Sequence, residues 1–384
     1  MRGLRRHRNR KQIKLVLGTA ICLLMIMTVG YAAFSTNITI NAKGYLFKRT
    51  TTSDLRSPKN FSNGELVEDS TIVGRYIYRG AGPQNYICLD TNSSGSCNAN
   101  DMYRILSVEP DGTLKVIKRA YITQTSAAWD LGYSSNVSGI TSSGSTAGTR
   151  YSSTSTDYCY TSSASGYIGC KAWGSKTSTY NSTGMTNVTQ MPMEAGSLTL
   201  KTLPTYDSYL NVYLNGGTYP TSSGTTNIAG WLVSQNSVIT NNISTNHIFN
   251  IGPVAQESSQ TLATDVAQES AYTWKGNVGV MSATDYVKAN SNVSACGTVY
   301  LNISGAGADL STCKTTNWIY DAFDTWVISP ISNATENNVW ELGNNGGIIT
   351  RSPYNPSTIR PVFFLKSSVI LSGDGTSSEP YRIA

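Results

Sequence analysis

Of the two histidines, His7 lies in a basic N-terminal head and only His247 lies in the body of the chain. A Ser-His-Asp or Cys-His mechanism sets one imidazole between a nucleophile and an orienting acid, so it would have to run entirely through His247. The setting of that residue, TNHIFNIG, reads as a strand edge, and neither GxSxG nor the phosphate-cradling GxxxxGKS/T occurs. His247 is therefore read as structural, and a single imidazole excludes the His-rich metal clusters. Paired carboxylates could serve a glycosidase. The C-terminal polar region holds two, Glu336 and Glu341, whose separation in space the sequence does not set. Asp374 and Glu379 in SGDGTSSE depart from the EF-hand loop, so a Gly-rich turn is the plainer account. No metal and no cofactor is expected.

What remains is a crowd of carboxamides and aromatics between residues 333 and 355. Asn and Tyr side chains supply adaptable hydrogen bonds and rigid contact area, the chemistry of recognition surfaces; Asn and Gly also simply make turns. The recognition reading takes Asn333, Glu336, Asn337, Asn338, Trp340, Asn344, Asn345, Tyr354 and Asn355 as the ligand-binding set.

The elements that must position them are mostly strands, giving an α+β, mostly β fold. Strands are expected at Arg75–Tyr78, Tyr103–Val108, Thr325–Ile328, Val339–Leu342, Ile348–Thr350, Arg360–Leu365 and Val369–Leu371. Asp111-Gly112 between apolar runs marks a hairpin. Two short helices stand out. In PTYDSYLNVYLNGG, Tyr206, Tyr209, Leu210, Tyr213 and Leu214 share a face, with Thr205 able to cap the start and Asn215-Gly216 the end. The second begins at the capping-box-like Ser282-x-x-Asp285. Residues 134–182, rich in Ser, Thr, Gly and Tyr, read as long surface loop.

Charge and cysteines bear on location. The formal +6 is concentrated in Arg2, Arg5, Arg6, Arg8, Arg10, Lys11 and Lys14; the rest carries 22 Lys and Arg against 23 Asp and Glu. A neutral body removes the electrostatic support for a nucleic-acid partner. After the head, residues 1–14, comes Leu15–Phe34, charge-free and long enough to cross a bilayer. It serves as a membrane anchor or as a signal cleaved after Ala32, and both place the remainder outside. Residues 35–65 are polar and unpatterned, as in a stalk, before a folded domain at 66–384. Outside the apolar run the cysteines form three local couples, Cys88–Cys97, Cys159–Cys170 and Cys296–Cys313. Six cysteines allow 15 connectivities; short-loop closure favours these three, as disulfides in an oxidising compartment.

The strings LNVYLNGG, HIFNIGPVA, YTWKGNVGVMSATDYVKA, TWVISP and IRPVFFLKSSVILSGDGTSSEPYRI resemble a family of uncharacterised surface proteins of Gram-positive gut bacteria and their wall-less relatives. The element Trp326-x-x-Ser329-Pro330, with Ile359-Arg360-Pro361-Val362, is similar to the end of C-type lectin-like domains, in the branch of formylglycine-generating enzymes and retroelement-diversified receptor-binding proteins. The segment GYAAFSTNITI looks like the processing region of exported Gram-positive matrix proteins. The resemblance implies a C-type lectin-like fold with paired terminal strands, in which Trp326, Ser329, Pro330, Arg360 and Pro361 are scaffold and the polar positions between them a display surface. EPN, QPD and WND are absent, as is the catalytic cysteine pair, so neither calcium-dependent sugar binding nor formylglycine generation carries over. The resulting expectation is a non-catalytic adhesion protein of the cell surface recognising a glycan or a protein. A hydrolase of cell-wall or host glycan and a structural envelope component are the alternatives.

Overall fold

A computed structural model describes residues 49–384, apart from 131–158 and shorter stretches at 93–95, 123–126, 162–167, 176–179, 183–184, 187–188, 193, 205, 222–223, 306–308, 333–337 and 354. The basic head and Leu15–Phe34 lie outside the described residues. Among those described, no helix is long and apolar enough to cross a membrane.

The fold is α+β and mostly β. Its centre is Met102–Val108, buried at every residue. The Asp-Gly signal forms the expected hairpin: Glu109 N–H donates to Thr113 O at 2.9 Å, and Gly112 takes φ +83°, which a Cβ would strain. The returning strand, Leu114–Lys118, pairs with Met102–Val108 on one side and with Val362–Leu365 on the other. Tyr76–Arg79 and Tyr86–Cys88 also pair with Met102–Val108. The sheet continues through Gly64–Glu68 to Lys59–Phe61 in one direction, and through Tyr381–Ile383 and Ile370–Ser372 to Thr50–Thr51 in the other. A three-stranded sheet, Thr325–Pro330, Val339–Leu342 and Ile348–Arg351, and a four-stranded sheet containing His247–Asn250 and Tyr272–Gly276 complete the frame.

One aromatic chain ties these sheets together. Trp326 meets Trp129 at 6.0 Å between ring centroids, Trp129 meets Trp173 at 5.2 Å, Trp173 meets Trp274 at 5.7 Å, and Phe249 joins Trp274 to Phe364 at 5.5 and 5.2 Å. Such tilted and edge-to-face contacts each contribute about 0.5–1.5 kcal/mol beyond area burial.

Two expectations need correction. The compact unit begins at Arg49, so residues 49–65 belong to the fold and not to a stalk. Thr50–Thr51 is too short a strand to show alternation, yet it pairs with Ile370–Ser372, and Leu55 behind it is fully buried. The described residues also contain six short α-helices, not two: Tyr209–Asn215, Ser237–Asn242, Leu262–Ser270, Ala283–Lys288, Val293–Cys296 and Leu310–Thr315. The four unexpected ones are largely polar and start at Asn236, Thr261, Asn292 and Asp309, whose side chains accept first-turn N–H groups. The first expected helix starts one turn late, capped by Ser208. The Ser282–Asp285 capping box forms as read.

Cys88–Cys97 and Cys296–Cys313 are disulfides. Cys170 is also disulfide-bonded, and its cross-strand partner in the two-stranded ladder is Cys159.

Candidate binding face

The expected ligand-binding residues hang on the hairpin Val339–Leu342 and Ile348–Arg351. Its first strand is buried throughout. Trp340, expected at the surface, is fully buried and donates its indole N–H to Val254 O at 3.3 Å, so it is core. A central strand covered on both faces leaves no side for display.

The register then splits the polar set. Val339 stands opposite Arg351, and Leu342 opposite Ile348. Asn344 and Asn345 form the exposed turn at one end, while Asn338 and Asn355 lie at the other. The four-residue strand between them, at ~3.3 Å per residue, separates Asn338 from Asn344 by well over ~10 Å. Asn345 is consumed by its turn: its Oδ1 accepts from Gly347 N–H at 3.0 Å and its Nδ2 donates to Ser304 Oγ at 3.1 Å. At the opposite end, Ser352 Oγ donates to Asn338 Oδ1 at 3.4 Å, and Asn355 N–H to Ser352 O at 3.0 Å. Asn333, Glu336, Asn337 and Tyr354 lie outside the described residues.

That second end is where other loops are rooted. Asp130 N–H donates to Pro353 O at 2.8 Å, and the buried Lys171 Nζ to Ile331 O at 2.8 Å. Ala195 N–H reaches Ser332 Oγ at 2.5 Å, and Ala127–Ala128 pairs with Pro356–Ser357. The buried Asp130 carboxylate closes the base of the Ser/Thr/Gly/Tyr-rich stretch: Oδ2 accepts from Cys170 N–H at 3.2 Å, and Oδ1 from Tyr219 Oη at 2.7 Å and from Tyr209 N–H at 3.4 Å. Asp130 and Lys171 are thus held beside Ile331, Ser332 and Pro353, and the described part of the stretch between them includes the ladder of Cys159–Thr161 with Ile168–Cys170, where a surface loop was expected. Asp130 and Lys171 belong to no sequence motif; their signal was position, as charged residues bordering a stretch nearly free of charge.

Glu341, in the first strand of this hairpin, is fully buried. Burial pushes its carboxyl up to about 7, against the pull of the Ser357 hydroxyl, which it accepts, and of Arg351 Nε at 3.4 Å; Asp324 pushes the same way as burial. Other carboxylates are engaged inside the core. Arg75 binds Glu109 at 2.7 Å, Lys288 binds Asp69 at 2.7 Å and Lys115 binds Asp285 at 2.6 Å, and Arg75, Lys115, Asp285 and Lys288 line a water-sized polar cavity. Glu269, beside them, accepts from Ser329 and Thr284 hydroxyls, and burial raises it. Ser329 thus lies in the interior with Trp326, Pro330, Arg360 and Pro361. His247 stacks on Phe364 at 3.6 Å, with Nε2 3.1 Å from Thr113 Oγ1 and 3.5 Å from Asp111. Asp374 accepts from Thr376 N–H and Oγ1, as a turn residue does.

Compared with known protein families, with curated proteins and with solved structures, the chain finds no match.

Proposed function

We propose that the chain is a non-catalytic binding protein of the bacterial cell surface, exported behind its N-terminal apolar segment, that recognises a glycan or a protein. The ligand meets the loop end of the C-terminal hairpin, through Asn338, Asn355 and the neighbouring Asn333, Glu336, Asn337 and Tyr354. One observation carries this reading: described residues from three distant parts of the sequence, Ala127–Asp130 with Lys171, Ile331–Ser332 and Pro353–Ser357, are bonded to one another beside Asn338 and Asn355. Binding residues are disproportionately carried on connecting segments that a rigid scaffold positions. A C-type lectin-like fold is supported by the pairing of Thr50–Thr51 with Ile370–Ser372 and by loops borne on C-terminal strands. The test compares the oxidised protein with a variant in which Asn333, Asn337, Asn338, Tyr354 and Asn355 become Ala or Ser, for binding to bacterial cells, host cells and mucin. Binding lost in a folded variant supports the reading, and equal binding by both proteins overturns it.

A hydrolase acting on cell-wall or host glycan is the less supported reading: the raised carboxyl of Glu341 owes its shift to complete burial, away from any sugar. It fails if replacing Glu336 and Glu341 with Gln leaves any release of reducing sugar from peptidoglycan or mucin unchanged.

A further inference from the structure

At the opposite end of the same hairpin, three guanidinium groups gather with little to neutralise them. Arg104 and Arg360 are 6% and 2% exposed, and Arg119 is exposed. Arg104 has no carboxylate partner among the described residues. It donates to Asn85 Oδ1 at 2.6 Å and to Pro83 O at 3.1 Å, and lies between the Tyr86 and Trp318 rings at 4.1 and 4.5 Å. Burial holds it down to about 9, and Arg360 and Arg119 push it the same way. Arg360 spends its donors on Lys118 O and Ile319 O, with Asp321 at 3.3 Å as its single acid. Arg119 makes no side-chain hydrogen bond among the described residues, and its nearest ring is Tyr86 at 5.9 Å. Among the described residues one carboxylate, Asp321 on Arg360, stands against the three cations, and Arg119, the one facing water, makes no side-chain hydrogen bond.

The chain after Arg119 supplies one member of an aromatic pair. Tyr121, two residues on, meets Phe323 edge to face at 5.0 Å, and Phe323 is 46% exposed. The loop bearing Phe323 is strained: Ala322 has φ +63°, a conformation non-glycine residues rarely hold. The same loop is fixed to the cation cluster through Asp321 and to the hairpin turn through Asp324, whose Oδ1 accepts Asn344 N–H at 2.7 Å. The Asn344 side-chain amide, exposed, makes no hydrogen bond among the described residues.

We infer that this end is a binding site for an acidic saccharide: the anionic group pairs with Arg119, the apolar face of the sugar ring packs on Phe323 and Tyr121, and a hydroxyl meets the Asn344 amide. The excess positive charge calls for an anion, a guanidinium with free donors holds carboxylate or sulfate in a forked pair, and an exposed ring calls for a ligand with an apolar face. Carboxylated and sulfated sugars present both. This site stands apart from the loop end, and no variant used to test one touches the other.

The test is calorimetric titration of the full chain in mild detergent with trigalacturonate, sialyllactose and a sulfated chondroitin disaccharide. Galactotriose, lactose and the unsulfated disaccharide are the neutral controls; inorganic sulfate and tetraglutamate are the non-sugar anions. At least one acidic saccharide is expected to bind about tenfold or more tighter than its neutral counterpart, a difference of roughly 1.4 kcal/mol. Arg119→Ala should abolish that preference without moving the unfolding temperature, Arg119→Lys should keep part of it, and Phe323→Ala should weaken the saccharide alone. Absence of binding, equal binding of acidic and neutral sugars, or indifference to Arg119→Ala overturns the inference. So does sulfate or tetraglutamate binding as tightly as the best saccharide.

Discussion

Replacing Glu341 with Gln isolates the cost of holding a carboxyl inside the C-terminal hairpin. The group lies fully buried and is lifted from 4.5 to about 7. A folded-state affinity for the proton above the unfolded one makes the acid most favourable to the fold at low pH. That contribution is complete below about pH 4.5 and is lost as pH rises through 7. At about 1.4 kcal/mol per tenfold change in proton affinity, ionisation costs the folded state ~3 kcal/mol. Gln reproduces the neutral acid and still offers the Ser357 hydroxyl an acceptor. Guanidinium unfolding, followed by tryptophan fluorescence between about pH 5 and pH 8, should give nearly equal stabilities at the acid end. At the alkaline end the variant should lead by about 2–3 kcal/mol. Asp265, which burial lifts to about 6, titrates in the same window but is common to both proteins and cancels in the difference. Parallel curves with a pH-independent gap would refute the reasoning, because Glu341 would then be ionised or neutral throughout.

Asp69→Ala should destabilise by about 3–5 kcal/mol, since it strands the buried Lys288 ammonium; adding Lys288→Met should recover most of the loss, and additive effects in the double-mutant cycle would contradict the pairing. Asp69 is itself held below the usual carboxylate range despite its burial, Lys288 being the main cause. Its contribution is therefore present above about pH 4 and lost as pH falls further, and the alanine variant should lack that acid-side loss. Replacing Cys296 and Cys313 with Ser opens a closure of 17 residues, worth about 3 kcal/mol in chain entropy, measurable as a lower denaturation midpoint. Asp130→Ala removes the acceptor shared by Cys170, Tyr209 and Tyr219, so limited proteolysis should cut sooner between residues 131 and 169; an unchanged cleavage rate would show that the loop base is held elsewhere.

The strong local signals were legible in the sequence. Asp111-Gly112 formed its hairpin and Ser282-x-x-Asp285 its capping box, because a positive φ and a reciprocal pair of cap bonds depend on a few adjacent residues. The strand Val339–Leu342 was placed to the residue, yet its environment was misread: VWEL is buried on both faces, and a run of four shows no periodicity from which to tell that. For the same reason the Asn-rich region looked like one surface. Only the antiparallel register, which sets Asn338 and Asn344 at opposite ends of the hairpin, separates them. The Arg104–Arg119–Arg360 gathering and the Tyr121–Phe323 pair join residues more than 200 positions apart, and nothing local announces such a meeting.

The two-residue ladder between Thr50–Thr51 and Ile370–Ser372 has a mechanical meaning. Tension arriving along the backbone from residue 48 reaches this ladder before any other part of the sheet. So short a ladder yields early, releasing about 3.3–3.6 Å of slack per residue while the core keeps its shape. The load then falls on Thr52, whose hydroxyl donates to Ser367 O at 3.0 Å, and on the fully buried Leu55, which cannot move without opening the core. The entry to the folded unit is thus a weak link in series with a strong one, so a brief tug is absorbed by extension and only a sustained one reaches the core.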